Sequence, residues 1–395
     1  MDSPPPELHG PGLPPIPAAQ PPPLPLRRVL PSVFRLLGPL LVAVVLGVRM
    51  NGEIGHFLDQ SWTVALLAVM CVLAYAGRTR VLSRVFSWLM LAGLLLAMVF
   101  FNVVFAFLAV DGPEADFAGA KAPLGWIAVV SLLAGLSAPA AASRALRPMF
   151  SAVSGNREWT SVRVLAVAAV VSLTLVSLVP LLILGAPPLL MAFEKPGMLD
   201  IIIERGRGAA GLYRDELYSL CWTLVAAALA VGYGVRRDWQ ETLERLGLLR
   251  ISRRQVWIAV GLVAALVGAA HLLDESIAAV WRICGWPTTD EATFEAIMAP
   301  FISPVGAVVV GICAGVGEEV GVRGILQPRL GILLSNLFFT ALHSSQYHWD
   351  ALLSVFLVGL VLGVIRKKTC TTVSAIVHGG YDFVLILWTA LAGGS

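Results

Sequence analysis

Six apolar stretches in the first part of the chain, residues 36–48, 61–77, 85–110, 124–142, 164–193 and 217–235, contain no Asp, Glu, Lys, Arg or His. A helix lying on a water-soluble core needs a polar face, and one that is apolar all round belongs in a protein interior or a bilayer. Stretches of this kind recur along the chain at close to the roughly 20 residues that span a hydrocarbon core. Composition agrees. Of 395 residues 57% are hydrophobic and only 13% charged, against about 25% charged in soluble proteins, and mean hydropathy is +0.82. Backbone groups in lipid must be satisfied within the segment, which favours helices. The expected class is an all-α polytopic membrane protein. The five cysteines are dispersed with no CxxC pair, which argues against a disulfide framework or a cysteine zinc site.

About eleven transmembrane helices are expected, near 34–50, 61–77, 85–110, 124–142, 162–192, 216–235, 255–272, 296–326, 331–347, 349–365 and 371–392. Pro180, Pro187 and Pro188 should kink or end the long 162–192 run. Residues 1–33 are rich in proline and read as a disordered cytoplasmic tail. Residues 34–155 read as a four-helix membrane region, and 156–395 as a core whose chemistry lies in 296–392. Clusters such as Arg78, Arg80 and Arg84, or Arg366-Lys367-Lys368, fall in alternate loops on the side of the N-terminus. The positive-inside rule therefore puts the N-terminus in the cytoplasm, and the expected location is the plasma (inner) membrane.

The last four spans contain Glu318, Glu319, Arg323, His343, His378 and Asp382, whereas the six stretches above contain no such residue. A charge near the bilayer centre costs about 2.5–3.5 kcal/mol on insertion scales, so such groups call for a function. The break at Pro328-Arg329-Leu330-Gly331 makes 296–326 and 331–347 a helical hairpin. From its turn, Glu318 and His343 lie at a similar depth of roughly 18 Å, and His378 lies roughly 15 Å from the start of the last span. Glu319 and Arg323 are i,i+4 neighbours able to pair, while Glu318 is rotated by about 100° and left free. His348 and Asp350 read as solvated loop residues, and Asn102 and Asn336 as bonds between helices.

These residues resemble a known pattern. Glu318-Glu319-Val320-Gly321-Val322-Arg323 resembles the EExxxR motif of the CPBP family, the CAAX-protease and bacteriocin-processing (ABI) intramembrane proteases, related to type II CAAX prenyl endopeptidases. Phe339 to His343 is similar to the family's FxxxH motif, and His378-Gly379-Gly380-Tyr381-Asp382 to its HxxxN/D motif, in the family's order. The resemblance implies that the last seven spans form a CPBP-like protease core. It makes Glu318 the base that activates water, helped by His343. Glu319 and Arg323 would hold the site with support from Phe339, and His378 and Asp382 would serve the oxyanion. Asp382 stands where many members have Asn. An ionised carboxylate cannot donate a hydrogen bond, so orienting His378 is an equally good role for it.

Two readings of cofactor use stay open. Glutamate catalysis requires none, whereas Glu318, His343 and His378 would be the ligands if Zn2+ were present; the helix-borne HExxH pattern is absent. The expected partners are a membrane-associated protein or peptide substrate and the lipid bilayer, with no nucleic acid, and the oligomeric state is left open. The functional expectation is an endopeptidase. A proton-coupled transporter, or a non-catalytic scaffold or immunity protein retaining the motifs, are the alternatives.

Overall fold

In a computed structural model the described residues are 26–392, apart from 79, 199, 202, 203 and 205–207. Most of the expected proline-rich tail, residues 1–25, therefore lies outside them. Helix begins at Leu26 rather than at 34, and the first helix runs to Arg49. Among the described residues the fold is all-helical, with no strand.

Among the described residues seven helices are long and apolar enough to cross a membrane, or eight if the bent pair Gly52–Asp59 and Trp62–Ala76 is one span. Length and composition do not confirm the expected eleven, for identifiable reasons. The span expected at 216–235 starts earlier, as helix Ala209–Ala230, and every 18-residue window of it contains the charged triplet Arg214-Asp215-Glu216. Trp62–Ala76 has only 15 residues. The spans expected at 296–326 and 331–347 form one 42-residue helical stretch, Pro304–Ser345. At 1.5 Å per residue it is about 63 Å long, twice the roughly 30 Å hydrocarbon core. It is broken at Gly331, which adopts φ 78° and ψ 174°. A Cβ there would also meet Ser154 Cα at 2.8 Å, so both backbone conformation and close packing call for glycine.

Helix termini follow local chemistry. Ser303 caps Pro304–Glu318 by accepting from the Gly306 amide, and Pro304 occupies the first turn, where no N–H is needed. The long run around 162–192 ends at Leu184, with Gly185 in the left-handed conformation; Pro188 opens the next helix, whereas Pro180 stays inside its helix.

The first helices share hydrophobic cores with the later ones. Leu40, Ala68, Val72 and Tyr75 pack with Ala226 and Leu229, and Met70, Leu91 and Leu95 pack with Leu165 and Ala168. Outside these cores, His56 Nε2 lies 2.7 Å from Asp215 Oδ1. Asn102 donates to Ser131 and to the Val176 carbonyl. His348 and Asp350 are not free loop residues. His348 is buried and its ring reaches the Gly185 carbonyl at 3.0 Å, while Asp350 accepts from the backbone and hydroxyl of Thr289.

The crossing that builds the site joins Pro304–Glu318 to the last helix, Thr371–Ala392. A Cβ on Gly311 would meet the Gly379 carbonyl oxygen at 2.6 Å, and one on Gly315 would meet Gly379 Cα at 2.6 Å. Small residues at this seam allow backbone-to-backbone approach. By contrast, Gly321 has nothing within 4 Å of its Cβ position.

Candidate active site

Beyond Glu318 the motif helix widens into a π-helical segment, Glu319–Leu326. Such segments occur often at functional sites, because they re-aim side chains at a cost in backbone geometry. The two glutamates part company here. Glu319 is completely buried, whereas the Glu318 side chain is 37% exposed.

Glu319 is held by three groups. The Ser374 hydroxyl donates to Oε2, His378 Nδ1 lies 3.2 Å from Oε1, and Arg323 Nε stands 3.6 Å from Oε2. With a carboxylate as acceptor, His378 Nδ1 carries the proton, so the imidazole is oriented from its Nδ1 side. Arg323 is 1% exposed and donates through Nη2 to the Gly359 carbonyl at 2.9 Å and to Asn336 Oδ1 at 3.4 Å. Its guanidinium carbon lies 5.1 Å from the Phe339 ring centroid, a cation–π distance. Asn336 in turn donates to the Phe356 carbonyl at 2.8 Å. Buried charges are tolerated when paired and hydrogen-bonded, as here.

Around this frame lie the remaining motif residues. His378 Nε2 is 3.8 Å from Glu318 and 3.6 Å from Asp382. Both distances are longer than a direct hydrogen bond. His343 belongs to the same site through Phe339. Its ring lies 4.7 Å from that of Phe339, which is 6.3 Å from His378. His343 Nδ1 is 2.9 Å from the Phe339 carbonyl oxygen, so the ring donates there and keeps Nε2 as an acceptor. Tyr347 lies almost parallel to His343, 6.0 Å away.

Glu318, Phe339 and His343 open onto a largely apolar cavity of about 460 Å³. Its far wall comes from the early helix Trp62–Ala76, through Leu67, Met70, Cys71 and Tyr75.

All seven sequence-named residues thus fall at one locus, although His343 is linked to the others by Phe339 and the cavity rather than by its own hydrogen bond. Sequence reasoning missed Ser374, and its signal was available: Ser374, His378 and Asp382 recur every fourth residue and form one helical stripe. It also missed the chamber wall from Trp62–Ala76, a helix with no Asp, Glu, Lys, Arg or His to betray a role.

Among the described residues no three His, Cys, Asp or Glu side chains come together as a metal-ion group. His378 Nδ1 bonds Glu319 and His343 Nδ1 a backbone carbonyl, contacts of the kind that also orient metal-ligating rings. No step is routed through a metal.

No curated protein and no solved structure gives a significant match to the chain. Residues 300–384 match the family model described as Type II CAAX prenyl endopeptidase Rce1-like, a segment that holds Glu318, Glu319, Arg323, Phe339, His343, His378 and Asp382. Among its described residues the chain is therefore an all-helical, multi-pass membrane protein, and its segment 300–384 is similar to the type II CAAX prenyl endopeptidase Rce1-like family.

Proposed function

We propose that the protein is an intramembrane endopeptidase that hydrolyses a peptide bond of a membrane-associated protein or peptide, with Glu318 as general base. The observation that carries this reading is the division of labour between adjacent carboxylates. Glu319 is spent on Ser374, His378 and Arg323, whereas Glu318 faces the chamber beside His378 and His343.

In this mechanism a water between Glu318 and the substrate carbonyl loses its proton to the Glu318 carboxylate as its oxygen attacks the carbonyl carbon. His343 Nε2, free because Nδ1 serves the Phe339 carbonyl, accepts the second hydrogen of that water and orients it. The developing oxyanion needs preorganised donors. His378 supplies one when Nε2 also carries a proton, its ring being fixed by Glu319. As the C–N bond breaks, Glu318 returns its proton to the leaving amine. A well-placed general base accounts for about 10²–10⁴-fold in rate.

The wide apolar lining favours a substrate segment presented from the lipid phase. The basic loops support a cytoplasmic N-terminus and a cytoplasmic break at Gly331, with the plasma (inner) membrane as the expected location. The test compares the termini of membrane peptides in cells carrying wild type or Glu318→Gln. New termini that depend on Glu318 support the reading, and identical terminal profiles overturn it.

A further inference from the structure

A second cavity, of about 110 Å³, lies beside the first and shares Tyr75, Val162 and Arg329 with it. Its walls bring together Arg78, Arg163, Arg236, Arg237, Arg245 and Arg329 from segments far apart in sequence, and Glu158 is the one carboxylate among its described lining residues. A preference for basic loops on one side of the membrane explains arginines near the surface. It does not explain their convergence on a single hollow, where like charges repel.

Neutral acceptors hold at least four of the six. Arg163 is 3% exposed, stacks over Trp159 at 4.4 Å, and donates to the Asn156 and Glu158 carbonyls and to Ser154 Oγ. Arg245 donates to the Gly324 carbonyl at 2.9 Å. Arg329 donates to the Ile325 and Ala230 carbonyls and to the Tyr75 hydroxyl, and Arg237 to the Val231 carbonyl. These bonds fix the guanidinium planes without cancelling their charge, the arrangement suited to a multivalent oxyanion. Burial, and then the charges of Arg329 and Arg237, hold the Arg245 pKa below its ordinary value, a repulsion that a bound anion would relieve.

We propose that this pocket binds the phosphate headgroup of an anionic lipid, whose acyl chain passes Tyr75 and Arg329 into the apolar chamber lined by Met70 and Leu165. The chamber's apolar wall and the shared Tyr75–Arg329 boundary favour a lipid over a free anion. Gly324 and Ile325, which accept from Arg245 and Arg329, belong to the π-helical segment that starts at Glu319. The headgroup would thus sit behind the motif helix, and its chain would line the approach to Glu318. The site stands on its own observations and does not require proteolysis.

The test uses the full chain, purified in neutral detergent, with binding followed by native mass spectrometry and by the thermal unfolding midpoint. The probes are phosphatidylglycerol, phosphatidylcholine, glycerol 3-phosphate and inorganic phosphate. The expected result is preferential retention of phosphatidylglycerol, weakened roughly tenfold by Arg78→Gln with Arg237→Gln, the scale of one lost charge-assisted hydrogen bond. Arg253→Gln with Arg254→Gln removes the same charge from exposed positions outside the pocket and should leave binding unchanged. Met70→Trp, which fills the chamber, should weaken phosphatidylglycerol and spare glycerol 3-phosphate. Should the double variant not fold, Arg78→Gln alone, at an exposed side chain, carries the test. Binding of phosphatidylcholine as tight as phosphatidylglycerol, or equal loss in the outside-pocket control, overturns the proposal. Inorganic phosphate that binds as tightly as the lipid overturns the lipid assignment and leaves a free-phosphate site.

Discussion

Glu318 and Glu319 are adjacent in the chain, yet Glu319 is fully enclosed by Ser374, His378 and Arg323 while Glu318 opens onto the chamber. Removing one partner of a buried ion pair strands the other charge, so Glu319→Ala is expected to destabilise the protein by about 3–5 kcal/mol. Glu318→Gln should keep the wild-type unfolding midpoint and lower proteolysis by about 10²–10⁴-fold. Thermal unfolding in detergent beside a cleavage assay separates the two effects. Equal stability losses in both variants would contradict the division of labour.

Gly359 touches this frame from another helix. A Cβ there would meet Asn336 Oδ1 at 2.1 Å and Arg323 Nη2 at 3.3 Å, and the Gly359 carbonyl accepts from Arg323. Gly359→Ala should therefore cost about 1–3 kcal/mol through overpacking. Gly321→Ala, with open space at its Cβ position, should instead stabilise by about 0.5–1 kcal/mol through helix propensity. Unfolding midpoints of opposite sign are the expected readout.

Asp382 stands at the second nitrogen of His378, away from the one that Glu319 holds. His378 is already oriented through Nδ1 by Glu319, and Asp382 faces the other nitrogen at 3.6 Å. Asp382→Asn supplies an amide donor of the same shape and is expected to preserve or raise kcat. Asp382→Leu, which removes both polarity and donor, should lower it by about 10²–10³-fold if this position serves the oxyanion. A large loss in the Asn variant would show that the carboxylate itself is needed.

Zinc chelation offers a direct check on the metal-free reading. Treatment of the purified protein with a strong chelator should leave cleavage unchanged, and added Zn2+ should not raise it. Loss of activity that Zn2+ restores would return Glu318, His343 and His378 to the role of ligands.

Outside the spans, Asp111 accepts from the backbone amides of Lys121 and Ala122, and the Lys121 bond, first among the causes, holds its pKa below the ordinary value. A carboxylate with a depressed folded pKa stabilises fully above its unfolded value of about 3.9, and that contribution fades as pH falls through the folded value. Amide exchange at Lys121 and Ala122, corrected for intrinsic rate, should accelerate below about pH 4. Asp111→Asn should remove that pH dependence.

Much of the site was legible because charge in an apolar helix is expensive and therefore conspicuous. Glu318, Arg323 and His378 announce themselves against six earlier apolar stretches that lack Asp, Glu, Lys, Arg and His. Ser374 does not, since a serine in a membrane helix is ordinary until its partner is known. The span count of eleven is not confirmed where helix ends carry charge, as at Arg214-Asp215-Glu216, and where one long helical stretch is broken at Gly331. His348 was misread because a polar residue between two apolar runs looks solvated, whereas the Gly185 carbonyl and Thr289 enclose it.

By itself the sequence determined the helical class, the region that bears the chemistry, and the separation of Glu318 from Glu319. Those depend on hydropathy and on the 3.6-residue turn, which act locally. Tertiary structure alone decided that Ser374 and His378 complete Glu319, that Leu67 to Tyr75 wall the chamber, and that six arginines meet in one pocket. Each is a convergence of distant segments, set by how closely helices approach at seams such as Gly311, Gly315 and Gly379. Helix approach is a property of packed pairs, and no periodicity within a single segment encodes it.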